Sequence, residues 1–274
     1  MAVPRLALWR LLVERGLAET EQAARALCLS GEVLLDGARA DKPGTLVKAV
    51  ALVSLRRQRG YASRGGEKLA YALERFGVGV QGRIALDCGA STGGFTDCLL
   101  QRGAARVYAV DVGYGQLLGR LRQDPRVVNL ERTNLGAVGR HCLDPLPSVV
   151  TLDLSYLPLA EAWRLVARWL PEGADVISLV KPLFEVDDAV ARRSGVLVGP
   201  APYRNLLSRL VATCGDMRWS ACGVAASPIQ GHAGTLEFLL YARASSGLAS
   251  ACAAAEIEHV VQNGMCAVGA TWPS

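Results

Sequence analysis

The chain has 274 residues, 51% of them hydrophobic, and its 30 Lys and Arg against 25 Asp and Glu give a formal net charge of +5. That is enough chain for one large domain plus a small one, and the mildly basic balance permits a nucleic-acid partner. Eight cysteines without a C-x-x-C pair, and histidines only at 141, 232 and 259, exclude a zinc module and a disulfide scaffold.

No apolar run reaches the ~18 residues of a membrane-spanning helix, and no apolar N-terminal stretch precedes a cleavage site. The expectation is a cytoplasmic protein with reduced cysteines, no metal and no membrane association. The oligomeric state is not legible.

Residues 1–56 read as a separate module. Leu8, Leu11 and Leu12 recur at helical spacing after Pro4, and Gly16 stops that helix. Thr20 caps a second helix with Ala23, Ala24, Leu27 and Cys28 on its inner face and Gly31 as its stop. A strand over 32–35, a tight Asp36-Gly37 hairpin turn, and short strands at 45–47 and 50–53 follow. Up to residue 60 there are ten Lys and Arg against six Asp and Glu, so this end carries +4 of the net +5. Such asymmetry suits contact with phosphates, and a solvated face is the alternative.

After a short basic linker (57–62), Ser63-Arg64-Gly65-Gly66-Glu67-Lys68-Leu69 leads into an amphipathic helix with Leu69, Leu73 and Phe76 inward. From residue 82, strands alternate with helices, which argues a doubly wound α/β sheet. The first strand, at 84–88, runs through Asp87 into a turn of small residues. Glycines at 89, 93 and 94 would let backbone approach a ligand closely, and Asp87 stands where ligands of open α/β sheets lie. The spacing is neither a dinucleotide fingerprint nor a phosphate loop. The second strand, 106–111, ends in Asp111, an acid able to accept both hydroxyls of a ribose. Strands at 127–130 and 149–155 follow, the latter carrying Asp153. Trp163, Val166, Ala167 and Leu170 stripe a core helix. A strand from 175 ends in Lys181 before Pro182, and residues 185–200 read as a loop near the site. A helix at 202–214 precedes strands at 218–226 and 235–242, the last placing Glu237 in an apolar run, where a carboxylate needs a partner. The tail, 245–274, has no readable role.

Lys68, Asp153, Lys181 and Glu237 thus gather around one proposed cleft. Two lysines close together would favour a neutral amine, available as a base, with the carboxylates orienting the pair.

The D-x-G-x-x-x-G-G-F pattern resembles the first motif of S-adenosylmethionine-dependent methyltransferases. The order Lys68, Asp153, Lys181, Glu237 resembles the K-D-K-E tetrad of FtsJ-type RNA ribose 2′-O-methyltransferases. The landmarks at 11–17, 30–33, 36–37 and 41–44 resemble the RNA-binding module shared with ribosomal protein S-four. Together with 111–117, 131–134 and 181–186, they resemble the TlyA family, also labelled hemolysin-like, over residues 5–243.

The resemblance implies a seven-stranded Rossmann-like methyltransferase domain at 63–244, the tetrad as catalytic residues, and 2′-O-methylation of cytidine in ribosomal RNA of the large subunit and in some members the small one. It further implies S-adenosylmethionine contacts from Asp87, Gly89, Ala90, Ser91, Thr92, Gly93, Gly94, Phe95, Asp111, Val112, Asn134 and Asp153. The implied RNA contacts are Arg5, Arg25, Arg39, Lys42, Arg59 and Arg64. The tail past 244 departs from that family, and the linker reads Arg59-Gly60-Tyr61-Ala62 where some relatives carry Arg-x-Trp-Val. A non-catalytic RNA-binding protein and a membrane-lytic hemolysin are the competing readings. The intact tetrad speaks against the first, and the lack of a spanning or barrel pattern against the second.

Overall fold

The computed structural model describes residues 4–18, 20–29, 31, 33–55, 60–186, 191, 197–231, 234–245, 252 and 254–267. The chain divides into two compact units, Met1–Arg59 and Gly60–Ser274.

In the first unit, β1 (Arg5–Ala7) feeds α1 (Leu8–Glu14), and Gly16, at φ +67°, turns the chain towards α2 (Glu21–Leu29). The Thr20 hydroxyl accepts the Ala23 N–H at 3.1 Å, the cap expected there. β2 (Val33–Leu35) lies between β3 (Ala38–Arg39) and β5 (Val53–Leu55), while β1 pairs with β4 (Leu46–Lys48). Asp36 and Gly37 both take positive φ (49° and 84°), the geometry of a two-residue hairpin turn. Leu8, Leu11, Leu12, Ala24, Cys28, Val33 and Val47 are the core, and Ala23 faces outward instead. The strand expected at 50–53 begins later, at Val53. Ala51 N–H closes a turn onto the Lys48 carbonyl, and Leu52 N–H donates to Asp36 Oδ1.

The second unit opens with α3 (Arg64–Arg75), capped by Ser63. Its sheet contains β6 (Ile84–Cys88), β7 (Arg106–Val110), β8 (Val127–Leu130), β9 (Val149–Leu152), β10 (Asp175–Val180), β11 (Trp219–Ala226) and β12 (Phe238–Ala244). Their spatial order is β11-β12-β10-β9-β6-β7-β8, all parallel except β12, which runs against both neighbours.

Side-chain alternation along buried strands gives the sheet two apolar faces. Leu86, Tyr108, Val150, Val176 and Leu240 pack with α6 (Leu159–Ala167), α8 (Pro200–Asp216) and α9 (Ala254–Ala267). Ala85, Val107, Val149, Ile177 and Leu239 pack with α3 and α4 (Gly94–Gln101). Trp163 is fully buried on α6, its indole N–H donating to Ser178 Oγ at 2.9 Å, so that stripe is core. Two short helices, α5 (Gly119–Arg122) and α7 (Pro182–Glu185), lie at the carboxyl edge.

The chain winds one way from β6 to β7 and β8, and the other way to β9 and β10. The crevice where it divides lies between β6 and β9, the usual ligand position in open α/β sheets. The tail, unreadable from sequence, supplies α9 to the core through Ile257, Val260 and Val261.

Candidate active site

The turn after β6 is built by close approach of backbone to backbone. A Cβ at Gly89 would lie 2.3 Å from the Asp153 carbonyl oxygen, one at Gly94 3.0 Å from Gly66 N, and one at Gly93 2.2 Å from Leu121 Cδ1. Their missing side chains thus leave room for the backbone just after β9, for the start of α3 and for the side chains of α5. Gly89 (φ +88°) and Gly93 (φ +99°) also need the left-handed conformation.

Ser91 between them is a non-glycine residue at φ +47°. It is held there by Asp111, whose Oδ2 accepts Ser91 N–H and whose Oδ1 accepts Gly113 N–H, both at 2.7 Å. Glu131 fixes the following loop, accepting the N–H groups of Gln116 (2.9 Å) and Leu117 (3.2 Å). The Asn129 amide and those backbone donors hold its carboxyl down at about 2.

Asp87 lies behind this turn. It is fully buried and accepts from Thr96 Oγ1 at 2.7 Å and Thr151 Oγ1 at 3.2 Å, tying α4 to β9. Burial without a cation pushes its pKa up to about 7, although both threonines stabilise the anion.

Two adjoining lobes open on this edge. One, of about 240 Å³, reaches Ser63, Arg64, Lys68, Thr92 and Phe95. The other, of about 280 Å³, reaches Asp111, Val112, Gln116, Tyr156 and Lys181. Gly89, Ser91 and Asp153 line both.

The four ionisable residues form two pairs. Lys181 Nζ lies 2.5 Å from Asp153 Oδ1 and donates to Ser155 Oγ at 2.9 Å. The Lys68 ammonium donates to Glu237 Oε2, bridging 169 positions of sequence. Glu237 stands just ahead of β12 rather than within the strand, and because β12 runs antiparallel its entrance meets the carboxyl ends of β9 and β10. Each lysine has its own carboxylate and lines a different lobe.

Two lysine–carboxylate pairs and two lobes thus meet at the point where the strand order divides. The FtsJ-like methyltransferase family model matches residues 61–244, and the S4 domain model matches residues 8–51. The chain belongs to the FtsJ-like methyltransferase family.

As an FtsJ-like methyltransferase it is 42% identical over 234 residues (85% of this chain, 87% of the relative) to a Mycobacterium tuberculosis protein named 16S/23S rRNA (cytidine-2'-O)-methyltransferase TlyA. It is 33% identical over 227 residues (82% and 95%) to Hemolysin A of Brachyspira hyodysenteriae. A solved structure named as a hemolysin from Streptococcus thermophilus superposes with a TM-score of 0.72 at 35% identity, covering 97% of each chain. Among the described residues, no helix of this methyltransferase is long and apolar enough to cross a membrane.

Of the residues expected at a cofactor, Gly89, Ala90, Ser91, Thr92, Gly94, Phe95, Asp111, Val112 and Asp153 line the two lobes; Asp87, Gly93 and Asn134 do not. Asn134 instead caps the 3-10 turn at 135–137, accepting Gly136 N–H at 2.9 Å. Of the expected RNA contacts, Arg5, Arg39, Lys42 and Arg64 are exposed. Arg25 is already ion-paired with Glu21 at 2.8 Å and lies over the Trp9 ring, and Arg59 lies outside the described residues, as does most of the loop expected at 185–200.

Ser155 and Gln116 also line the second lobe, and the sequence does not point to either. Both stand in stretches already singled out, but a serine after a strand and a glutamine in a loop carry no signal without the fold.

Proposed function

We propose that this methyltransferase transfers the methyl group of S-adenosylmethionine to the 2′-hydroxyl of cytidine in ribosomal RNA. The observation that carries the reading is the pair of lysine–carboxylate contacts around the glycine turn, in a chain whose M. tuberculosis relative is named for that reaction.

The cleft fits the cofactor in its donor set. Asp111 has one hydrogen bond to each oxygen and keeps lone pairs for ribose hydroxyls, and Val112 offers an apolar wall beside it. The backbone of residues 89–92 would hold the amino-acid end. When bound, S-adenosylmethionine supplies a methyl group made electrophilic by its sulfonium.

Lys181 grips and orients the ribose hydroxyl, and the proton that leaves the oxygen stays within the Lys181–Asp153 pair. Ser155 keeps the amine aimed, accepting one of its hydrogens. Lys68 and Glu237 form the wall behind the reacting hydroxyl. Fixed groups of this kind act by alignment and by proton acceptance. Exposed Arg5, Arg39, Lys42 and Arg64 add phosphate contacts, whose counterion release makes the affinity fall with salt.

The test is methylation of ribosomal RNA purified from cells lacking a homologous enzyme, using labelled S-adenosylmethionine and mapping of the product. Ribose-methylated cytidine is expected. No transfer to RNA, or methyl groups on bases, would overturn the reading.

A further inference from the structure

Beyond the two lobes lies a third cleft, of about 400 Å³, on the other side of the Lys68–Glu237 pair. It meets the cofactor side at Arg64, which lines both. We propose that this cleft is a subsite for a second nucleotide of the RNA, near the one that is methylated, with Arg64 holding a phosphate between them. The inference rests on the function proposed above and extends it to specificity.

Three features support it. The first is charge. Arg64 is exposed, has no hydrogen-bonding or ionic partner among the described residues, and lines both clefts. An unpaired guanidinium at the mouth of a cleft suits a phosphodiester, whose oxygens match its fork of donors.

The second is the lining. Ile229, Leu236 and Gly264 give apolar surface for a planar ring, while the exposed Gln230 amide offers a donor and an acceptor for its edge. Unstacked bases of single-stranded RNA are read by this combination of flat contact and edge hydrogen bonds.

The third is construction. Gly264 belongs to α9, beyond the end of the family match at residue 244. A Cβ there would stand 3.1 Å from Leu236 Cδ1 and 3.2 Å from Ala226 Cβ, so glycine lets the helix come down and close the far wall. The tail thereby acquires a role in substrate choice. Continuity completes the case: a strand that lays one ribose against Lys181 must carry its neighbours along the same edge, and Arg64 marks where that edge passes from one cleft to the next.

The experiment compares the whole enzyme with Ile229→Trp, which fills the cleft, and Gln230→Ala, which removes the amide from an exposed position. Probes are purified ribosomal RNA and transcripts of the methylated region carrying each base at the flanking positions. Ile229→Trp should raise KM for RNA about tenfold while leaving kcat and S-adenosylmethionine affinity unchanged. Gln230→Ala should relax the preference for one flanking base. If both variants keep the wild-type KM and base preference, the subsite is wrong. If Ile229→Trp loses cofactor binding through misfolding, the base preference of Gln230→Ala alone decides. Wild-type enzyme that methylates no ribosomal RNA would instead overturn the function itself, so the two failures are distinguishable.

Discussion

Lys68–Glu237 and Lys181–Asp153 are the same chemistry in two settings. In the first pair the side chains are 11% and 7% exposed; in the second they are 18% and 25% exposed, and a serine hydroxyl shares the ammonium. A dry pair cannot change partners without leaving a bare charge in low dielectric, so it serves as a wall. A half-open pair can give one of its hydrogen bonds to an incoming hydroxyl. Asp87 is the control at the same sheet edge: a buried carboxyl with hydroxyl partners but no cation, its pKa pushed up to about 7. Exposure together with the presence of a cation, rather than residue type, distinguishes these three carboxylates.

The comparison breaks most sharply at Lys181. Lys181→Ala should lower methyl transfer by about 10³-fold or more, with cofactor and RNA affinities within a few-fold, because the amine acts in the transition state. Lys181→Arg should fail as well, since a guanidinium neither gives up its proton nor fits the same space. Single-turnover rates beside binding titrations check this, and near-normal turnover in the arginine variant would reduce Lys181 to a positioning group.

At the buried pair the first loss should be stability. Lys68→Met strands the Glu237 carboxylate and should destabilise by about 3–5 kcal/mol in thermal or urea unfolding. Adding Glu237→Gln should recover most of that stability without restoring activity. If Lys68→Met alone unfolds like wild type, the pair is no wall.

Asp87 sharpens the contrast through pH. Its folded pKa is raised from 3.8 to about 7, so its contribution to stability is fully present below pH ~4 and is lost as pH rises towards 7. Asp87→Asn should flatten that part of the stability–pH curve, a change on the order of 2–4 kcal/mol across the window. An unchanged slope in the variant would show that Asp87 is ionised throughout.

The glycines separate framework from chemistry. Gly93→Ala meets only the ends of Leu117 and Leu121 side chains and takes an unfavourable φ, so about 1–2 kcal/mol of stability should go. Gly89→Ala meets the Asp153 carbonyl, which is backbone, and should displace Asp153 and lower kcat as well as Tm. Equal kcat in the two variants would deny that Gly89 sets the position of Asp153.

Much of this was legible in the sequence because strand ends are marked by composition. Asp87, Asp111, Asp153 and Lys181 each stand where an apolar run stops, and the Asp36-Gly37 turn announces itself by residue type. What hid from the sequence was direction. A glycine run tells that something comes close, but which neighbouring atoms each missing Cβ would meet depends on which way it points. Pairing was hidden for the same reason, since four charges in chain order do not reveal that they sort two by two. The tail read as featureless because α9 alternates small and apolar residues without a sharp stripe, and only the α8 and β11 surfaces give it an inside.

One feature of the sheet also bears on how the chain assembles itself. The carboxyl edge of the sheet receives Asp153 and Lys181 from strands on their way out, but Glu237 from a strand on its way in. The Lys68–Glu237 contact spans 169 positions, so it forms only after the chain has been synthesised through Glu237. A growing chain emerging from its own ribosome would present the glycine turn and Asp111 long before that contact could form. The four ionisable residues of this edge would thus come together only once nearly the whole second unit has been made.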